Sequence, residues 1–318
     1  MLEQLRFVQG AVARKDYVPE LTHFRIHNGT VKGQNGTIAL CAPLNVGLDA
    51  NPKAVPFVKA LQACRDTVEL HMTPAGRLSV RSGNFRAFVD CLPPGEYHDV
   101  SPEGDIVTLP PHFNTALKTL APYIAEDASR QWALGILIRG QCAYATNNVV
   151  LVEHWLGGDF GHTINIPKAA VAEVLRIGKV PVSVQCADTN ATFHFEDGSW
   201  LRTQLYSTDW PDLSKILDRP SKQEAVNPGL FDAIARVLPF ADDAGRVYVN
   251  PGRVTTTTAE NEGATVEVGD LEAVAGVYNA AQLLGIKPIA ETIDFTQYPA
   301  PCSFTGPLLR GAIIGMRQ

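Results

Sequence analysis

The chain has 318 residues, 45% of them hydrophobic and 19% charged, and a formal net charge of −6. That apolar content supports packed cores. The acidic balance argues against an outer surface that binds nucleic acid, and no apolar run approaches the ~20 residues a membrane span needs. The opening MLEQLRFVQG lacks the apolar core of a signal peptide, so a cytoplasmic location is expected. Six cysteines, far apart and without a CxxC pair, point to reduced structural thiols rather than zinc ligands or disulfides.

In chain order, LEQLRFVQGAVAR (residues 2–14) places Leu2, Leu5, Val8 or Gln9, and Val12 near one face, as a helix does. The β-rich runs THFRIHNG, TVKGQ and GTIALCAP follow, broken by the turn pairs Asn28-Gly29 and Asn35-Gly36. An amphipathic PFVKALQACR (56–65) leads into VELHM (68–72), a turn at Pro74-Ala75-Gly76, RLSVRSGNFRAFVDCLP (77–93) and the acidic-aromatic closer GEYHDV (95–100). After a polar join, SPEGD (101–105), PPHFNTALKTLAPYIAE (110–126) opens on prolines that suit a helix entry. Strands are predicted in WALGILIRG, CAYATNN and VVLVEHWL. Next come PKAAVAEVLR (167–176), VPVSVQC (180–186), a turn at Asp188-Thr189-Asn190, ATFHFEDGSWLRTQLY (191–206) and the closer TDWPDL (208–213). A second join, DRPSKQEA (218–225), precedes NPGLFDAIARVLPFA (227–241), GRVYVN, RVTTTTAEN and ATVEVG. The chain ends on LEAVAGVYNAAQLL (271–284), PIAETIDF, CSFTG and LLRGAIIGM.

The stretch from Pro56 is thus written again from Pro167, in register, and a third time more faintly from Leu271. A repeat of about one hundred residues predicts three similar domains, 1–104, 105–220 and 221–318, in an α+β fold.

Charge is unevenly divided. Residues 1–15, 53–65 and 167–179 carry +2, +3 and +2, leaving −13 for the rest of a chain whose net charge is −6. Basic helices in an acidic body suggest an internal positive surface, although solvated helix faces carry such residues too. Glycine-rich phosphate loops, GxSxG, HExxH and paired acidic metal motifs are absent. His71, His112, His154, His162 and His194 are scattered, and Asp197, Asp209 and Asp212 sit in turns where they bond the backbone. No catalytic activity and no cofactor are expected.

VRSGNFRAFVDCLPPGEY (80–97), INIPKAAVAEVLR (164–176), FHFEDGSWLRTQLYSTDWPDLSKIL (193–217) and the tail AIIGMRQ (312–318) together resemble the bacterial DNA polymerase III beta subunit, the sliding clamp. The resemblance runs through all three units and is weakest in the third; the chain's shortness and divergence suggest a bacteriophage or mobile-element member. It implies three tandem clamp domains, each with two helices on an inner face and antiparallel sheets outside, and a head-to-tail ring. Six units with two helices each, about 10 Å wide, close a circle about 38 Å across the helix axes and leave about 28 Å free. Duplex DNA passes through with room for water, so a homodimer is the favoured closure.

Position in the helices selects Arg14, Lys15, Lys59, Lys118, Arg130, Lys168 and Arg176 as sequence-independent DNA contacts. The resemblance adds Gln131 and Trp132, and also singles out Arg14 or Lys15. It further implies a groove receiving short linear peptides of DNA polymerase and the clamp loader, formed by Thr146, Leu151, Pro211, Lys215, Ile216, Ala312, Ile314, Met316 and Arg317. Ile314 and Met316 read equally as an edge strand of the core. The sequence departs from the family at Asn147-Asn148-Val149-Val150, where Asp-Gly-His-Arg is usual, and at Gly315, where proline is. The dimer contact implied pairs Arg86 and Val89 with Val237 and Leu238. The alternative is a clamp-fold interaction scaffold, such as a transcription coactivator or a peptide decoy, without a processivity role. An enzyme on a three-domain scaffold has only scattered Asp and His in its favour.

Overall fold

The computed structural model describes residues 1–127, 129–222, 224–259 and 262–317. Gln223 of the second join, Glu260 and Asn261 of RVTTTTAEN and the terminal Gln318 therefore lie outside the described residues. Helices and antiparallel strands are mixed, as expected. The α-helices are α1 (Leu2–Val8), α2 (Ala54–Ala63), α3 (Phe113–Leu120), α4 (Lys168–Ile177), α5 (Ser214–Leu217), α6 (Leu230–Val237) and α7 (Ala280–Ile286). Among the described residues no helix is long and apolar enough to cross a membrane. The chain folds into two compact units, one of residues 1–109 and 166–206, the other of 110–165 and 207–318.

In the first unit α1 buries Leu5 and Val8 and stops at Val8 rather than at Arg14. Its continuation tightens into a 3₁₀ turn over Gln9–Ala11, and the Ala13 N–H then bonds the Leu21 carbonyl. Gly10 explains the early end: a Cβ there would strike the Glu173 carboxylate and the Arg176 guanidinium. The close approach selects glycine, which weakens the helix. Arg14 and Lys15 consequently lie in an exposed loop, not on a helix. Strands Arg25–His27, Thr30–Gln34 and Ile38–Pro43 form where predicted, and Asn28 (φ 48°) and Gly29 (φ 71°) supply the two left-handed residues of a primed hairpin turn.

All three copies of the repeat resolve into a helix followed by a three-stranded antiparallel meander. In the first, α2 precedes Glu69–Met72, Arg77–Ser82 and Phe85–Leu92. The second has α4 and then Ser183–Cys186, Asn190–His194 and Trp200–Gln204. For the third, the helix expected within residues 271–284 is displaced: Gly276–Asn279 is a strand, and α7 starts only at Ala280. Val277 and Tyr278 favour a strand, and the Asn279 side chain caps α7 by accepting from the Gln282 N–H. Its meander is Thr292–Ile293, Cys302–Gly306 and Leu309–Ile313.

The last strand of a meander is also where a copy joins other strands. Trp200–Gln204 pairs with Ile38–Pro43, completing a seven-stranded sheet in the first unit. In the second unit, Leu309–Ile313 pairs in the same way with Val150–Trp155, the third strand of the hairpin series Gly135–Arg139, Cys142–Thr146 and Val150–Trp155. Phe85–Leu92 differs. Beyond its meander neighbour it meets only Asn51–Pro52, through Cys91 and Leu92, so residues 85–89 form an open edge among the described residues. The third hairpin series, Arg246–Asn250, Arg253–Thr255 and Thr265–Glu267, likewise ends on a strand with one side open among the described residues.

Burial depresses the basicity of His23 and His194 in the first unit and of His154 in the second, in His23 and His154 against a weaker backbone hydrogen bond. His154 donates from Nδ1 to the Trp155 carbonyl at 2.8 Å. A histidine whose folded pKa lies below its unfolded value of about 6.5 makes the unfolded chain the better proton acceptor. Stability is therefore full above that value and declines as the pH falls below it. Urea midpoints are expected to be lower at pH 5.5 than at pH 7.5, and His154→Gln, which keeps a donor for the carbonyl, should flatten the decline for the second unit. An unchanged slope in that variant would remove His154 from the account.

Candidate functional site

Two features qualify as functional: a basic helical surface in the first unit and an apolar groove in the second. On α2, Phe57, Val58 and Leu61 are buried while Lys59 is exposed on the opposite face. On α4, Ala170, Val171 and Val174 face inward, and Lys168, Ala169, Ala172 and Arg176 face out. Helix α1 touches α2 and also meets α4, because Arg176 donates to the Phe7 carbonyl at 3.4 Å and Lys179 lies over the Phe7 ring at 5.5 Å. The three basic segments singled out by charge thus belong to one unit and are joined through α1. Arg176 is not a free cation: it pairs with the largely buried Glu173 at 2.6 Å, and that hydrogen bond raises its basicity further.

The helices of the second unit are less basic. Lys118 is exposed on α3, Arg236 of α6 pairs with Asp232 at 3.9 Å, and α7 carries no charged residue. Glu272, expected on the third lining helix, lies in the loop before Gly276–Asn279 and pairs with Lys222.

The groove grows from the turn at 147–149. Thr146 and Leu151 stand opposite each other in the hairpin, so their side chains share one face. Asn147 Oδ1 accepts from the N–H groups of Val149 and Val150, Asn148 takes the left-handed conformation (φ 72°), and the Thr146 hydroxyl donates to the Val150 carbonyl at 2.8 Å. Next along the sheet, Ala312 pairs with Leu151, and the Ile314 N–H bonds the Val149 carbonyl. Residues Leu213 and Ile216 close the side opposite the sheet, and a cavity of about 150 Å³ results. Beneath it Trp132 packs against Trp210 with ring centroids 4.9 Å apart, joined by Leu137 and Leu217.

Of the residues expected in the groove, Thr146, Leu151, Pro211, Ile216, Ala312 and Ile314 line the cavity. Lys215, Met316 and Arg317 do not line it; the Met316 backbone instead bonds the Val277 carbonyl and the Tyr298 hydroxyl. Arg130 and Trp132, expected at DNA, are on this wall, and Arg130 bonds Asn148 Oδ1 at 3.0 Å; Gln131 is exposed beside them. Asn148, Val149 and Val150, named above as a departure from the family's turn, line it too, and Leu213 and Pro301, which were not singled out, complete the lining. Leu213 could have been found as the last residue of the repeated closer.

At the expected dimer contact, Arg86 is exposed with its guanidinium 4.6 Å from the Phe88 ring centre, and Leu238 is half-buried. Val89 and Val237, only 2% and 0% exposed, belong to the cores of their own units. The outward apolar groups there are Phe88 (46% exposed) and Phe240 (65%).

This mixture of helices and antiparallel sheets has the fold of the bacterial DNA sliding clamps. The beta sliding clamp of Caulobacter crescentus matches with a TM-score of 0.83 over all of this chain and 97% of its own, at 18% identity. The sliding clamp of Bacillus subtilis gives 0.82 at 16% identity, and the beta subunit of Streptococcus pyogenes 0.80 at 17%, each with the same coverage. No family model and no curated protein matches the sequence. At such identities the likeness is one of fold.

Proposed function

We propose that this chain is a DNA sliding clamp: three domains (1–104, 105–220, 221–318), two copies of which close head to tail around duplex DNA and tether a polymerase without catalysing any step. The pairing rule of the meanders carries this reading. The last strands of the second and third copies each pair with the third strand of a hairpin series, whereas that of the first copy, at Phe85–Leu92, has an open edge at residues 85–89. The third hairpin series ends on Thr265–Glu267, whose outer edge pairs with no strand among the described residues. One chain's open edge then completes the other's, and two chains close the set. Open strand edges invite such pairing.

Once closed, the ring leaves DNA only at an end or by opening, so a tethered polymerase stays at high effective concentration near the primer. Arg14, Lys15, Lys59, Lys168 and Arg176 attract phosphates without reading bases, and such salt-sensitive contacts permit sliding. Peptides with hydrophobic and glutamine anchors enter the groove as extended chains. Loading on nicked circular duplex by the cognate loader, with release on linearisation, tests the reading; a protein never linked to the circle would overturn it.

Replacing Ile314, which is 44% exposed and outside the buried cluster beneath the groove, by Asp puts a charge on the groove wall and leaves that cluster intact. Affinity for a polymerase-derived peptide is expected to fall at least about tenfold in a fluorescence titration, since hot-spot contacts are worth about 2 kcal/mol or more. The uncharged α7 and the apolar Val149 and Val150 favour a second reading, a clamp-fold interaction scaffold. That reading expects peptide binding by a monomer that is never linked to DNA.

A further inference from the structure

The Arg14–Val18 loop carries a feature that sliding on duplex does not require. Tyr17 is fully exposed, at 104% of its reference area, and its side chain makes no hydrogen bond or ring contact with the described residues. A large aromatic residue normally buries its ring against something. Here the ring projects, yet the backbone beneath it is fixed. Asp16 Oδ1 accepts from the Val18 N–H at 2.9 Å, the Ala13 N–H bonds the Leu21 carbonyl at 2.8 Å, and the 3₁₀ turn Pro19–Thr22 is tied by the Thr22 hydroxyl to the Pro19 carbonyl. A ring held out on such a loop loses little freedom when a flat partner covers it.

Charge identifies the partner. Arg14 and Lys15 are exposed immediately before Asp16 and Tyr17. Cations beside an open aromatic face suit a strand with phosphates and unstacked bases. In a duplex the bases already stack on one another, so only the hydroxyl of Tyr17 would find a partner there. We infer that the Arg14–Val18 loop binds single-stranded DNA, with one base stacked on Tyr17 and its phosphates held by Arg14 and Lys15. This rests on the clamp reading for its biological setting: a ring at a primer end has single-stranded template next to it, and the loop would engage that strand where the duplex stops.

Fluorescence anisotropy of the full-length protein with labelled oligodeoxythymidylate at low salt, alongside a blunt duplex, tests the inference. Tyr17→Ala should weaken single-strand binding about fivefold or more, Tyr17→Phe and Tyr17→Trp should retain it, and duplex affinity should stay unchanged. Arg14→Ala with Lys15→Ala should lower affinity and reduce its salt dependence. Equal affinity in Tyr17→Ala and the native protein, loss in Tyr17→Phe, an equal loss for duplex, or no single-strand binding by the native protein would each overturn it. Because Tyr17 touches no core residue, folding is not at stake. Loading on nicked circles is scored separately: native protein that binds the oligonucleotide through Tyr17 but never links to a circle would refute the clamp reading and leave the loop assignment standing.

Discussion

Light scattering of the native protein is expected to give the mass of two chains, and Phe88→Asp is expected to return one chain that is no longer retained on nicked circular DNA. Phe88 lies within the open edge at residues 85–89, half exposed, with the Arg86 guanidinium across its ring. Paired with Thr265–Glu267 of a second copy, that edge would bury Phe88 and bring Phe240, which follows the strand-packed α6, into the same joint. A two-chain ring has two identical joints, and an unpaired carboxylate in each removes an apolar anchor and adds a desolvation cost. At about 2 kcal/mol or more per joint, the dissociation constant rises roughly a thousandfold. Phe240→Asp should act in the same direction. If Phe88→Asp remains dimeric and linked to circles, the open edge is not where the ring closes.

The repeat was legible because its signals are local and periodic. Asn28-Gly29, Asn35-Gly36 and the alternation in RLSVRSGNFRAFVD fix hairpins within a few residues of themselves, and the matching meanders follow. Distant contacts left no such mark. Gly10 was visible within residues 2–14, but the contact that requires it, with Glu173 and Arg176 more than 160 positions away, was not. In the third copy the apolar run 271–284 satisfies a helical spacing, yet Val277 and Tyr278 are taken by the sheet edge of Arg246–Asn250. At the groove, Thr146, Leu151 and Ala312 came from the resemblance alone, and strand pairing sets them side by side. Trp132 was assigned to DNA from the resemblance; its packing on Trp210, 78 positions later, sets it on the wall of the cavity.

That packing supports the second large effect expected, from Trp210→Ala. Trp210 closes the repeated acidic-aromatic segment and is 8% exposed, packed with Trp132, Leu137, Leu151, Leu213 and Leu217 under the groove. Truncation to alanine removes an indole from a cluster held on both sides by backbone, by the sheet and by α5, so the site cannot collapse to fill the void. A loss of about 3–5 kcal/mol is expected for the second unit, measured as a lowered urea midpoint of its own transition. Peptide affinity should fall with it, because Leu213 and Leu151 lose the surface that sets their positions in the cavity wall. Trp210→Phe separates packing from polarity. The buried indole Nε1 has no hydrogen-bond partner among the described residues, and an unpaired buried donor costs about 1–3 kcal/mol. Phenylalanine gives up some apolar contact but removes that donor, and the two changes are of similar size and opposite sign. Stability within about 1 kcal/mol of the native protein, with the groove still binding peptide, is the expected outcome. A Trp210→Phe loss as large as that of Trp210→Ala would mean that the indole nitrogen has a partner, such as a bound water, and that the groove floor is held by polarity rather than by packing.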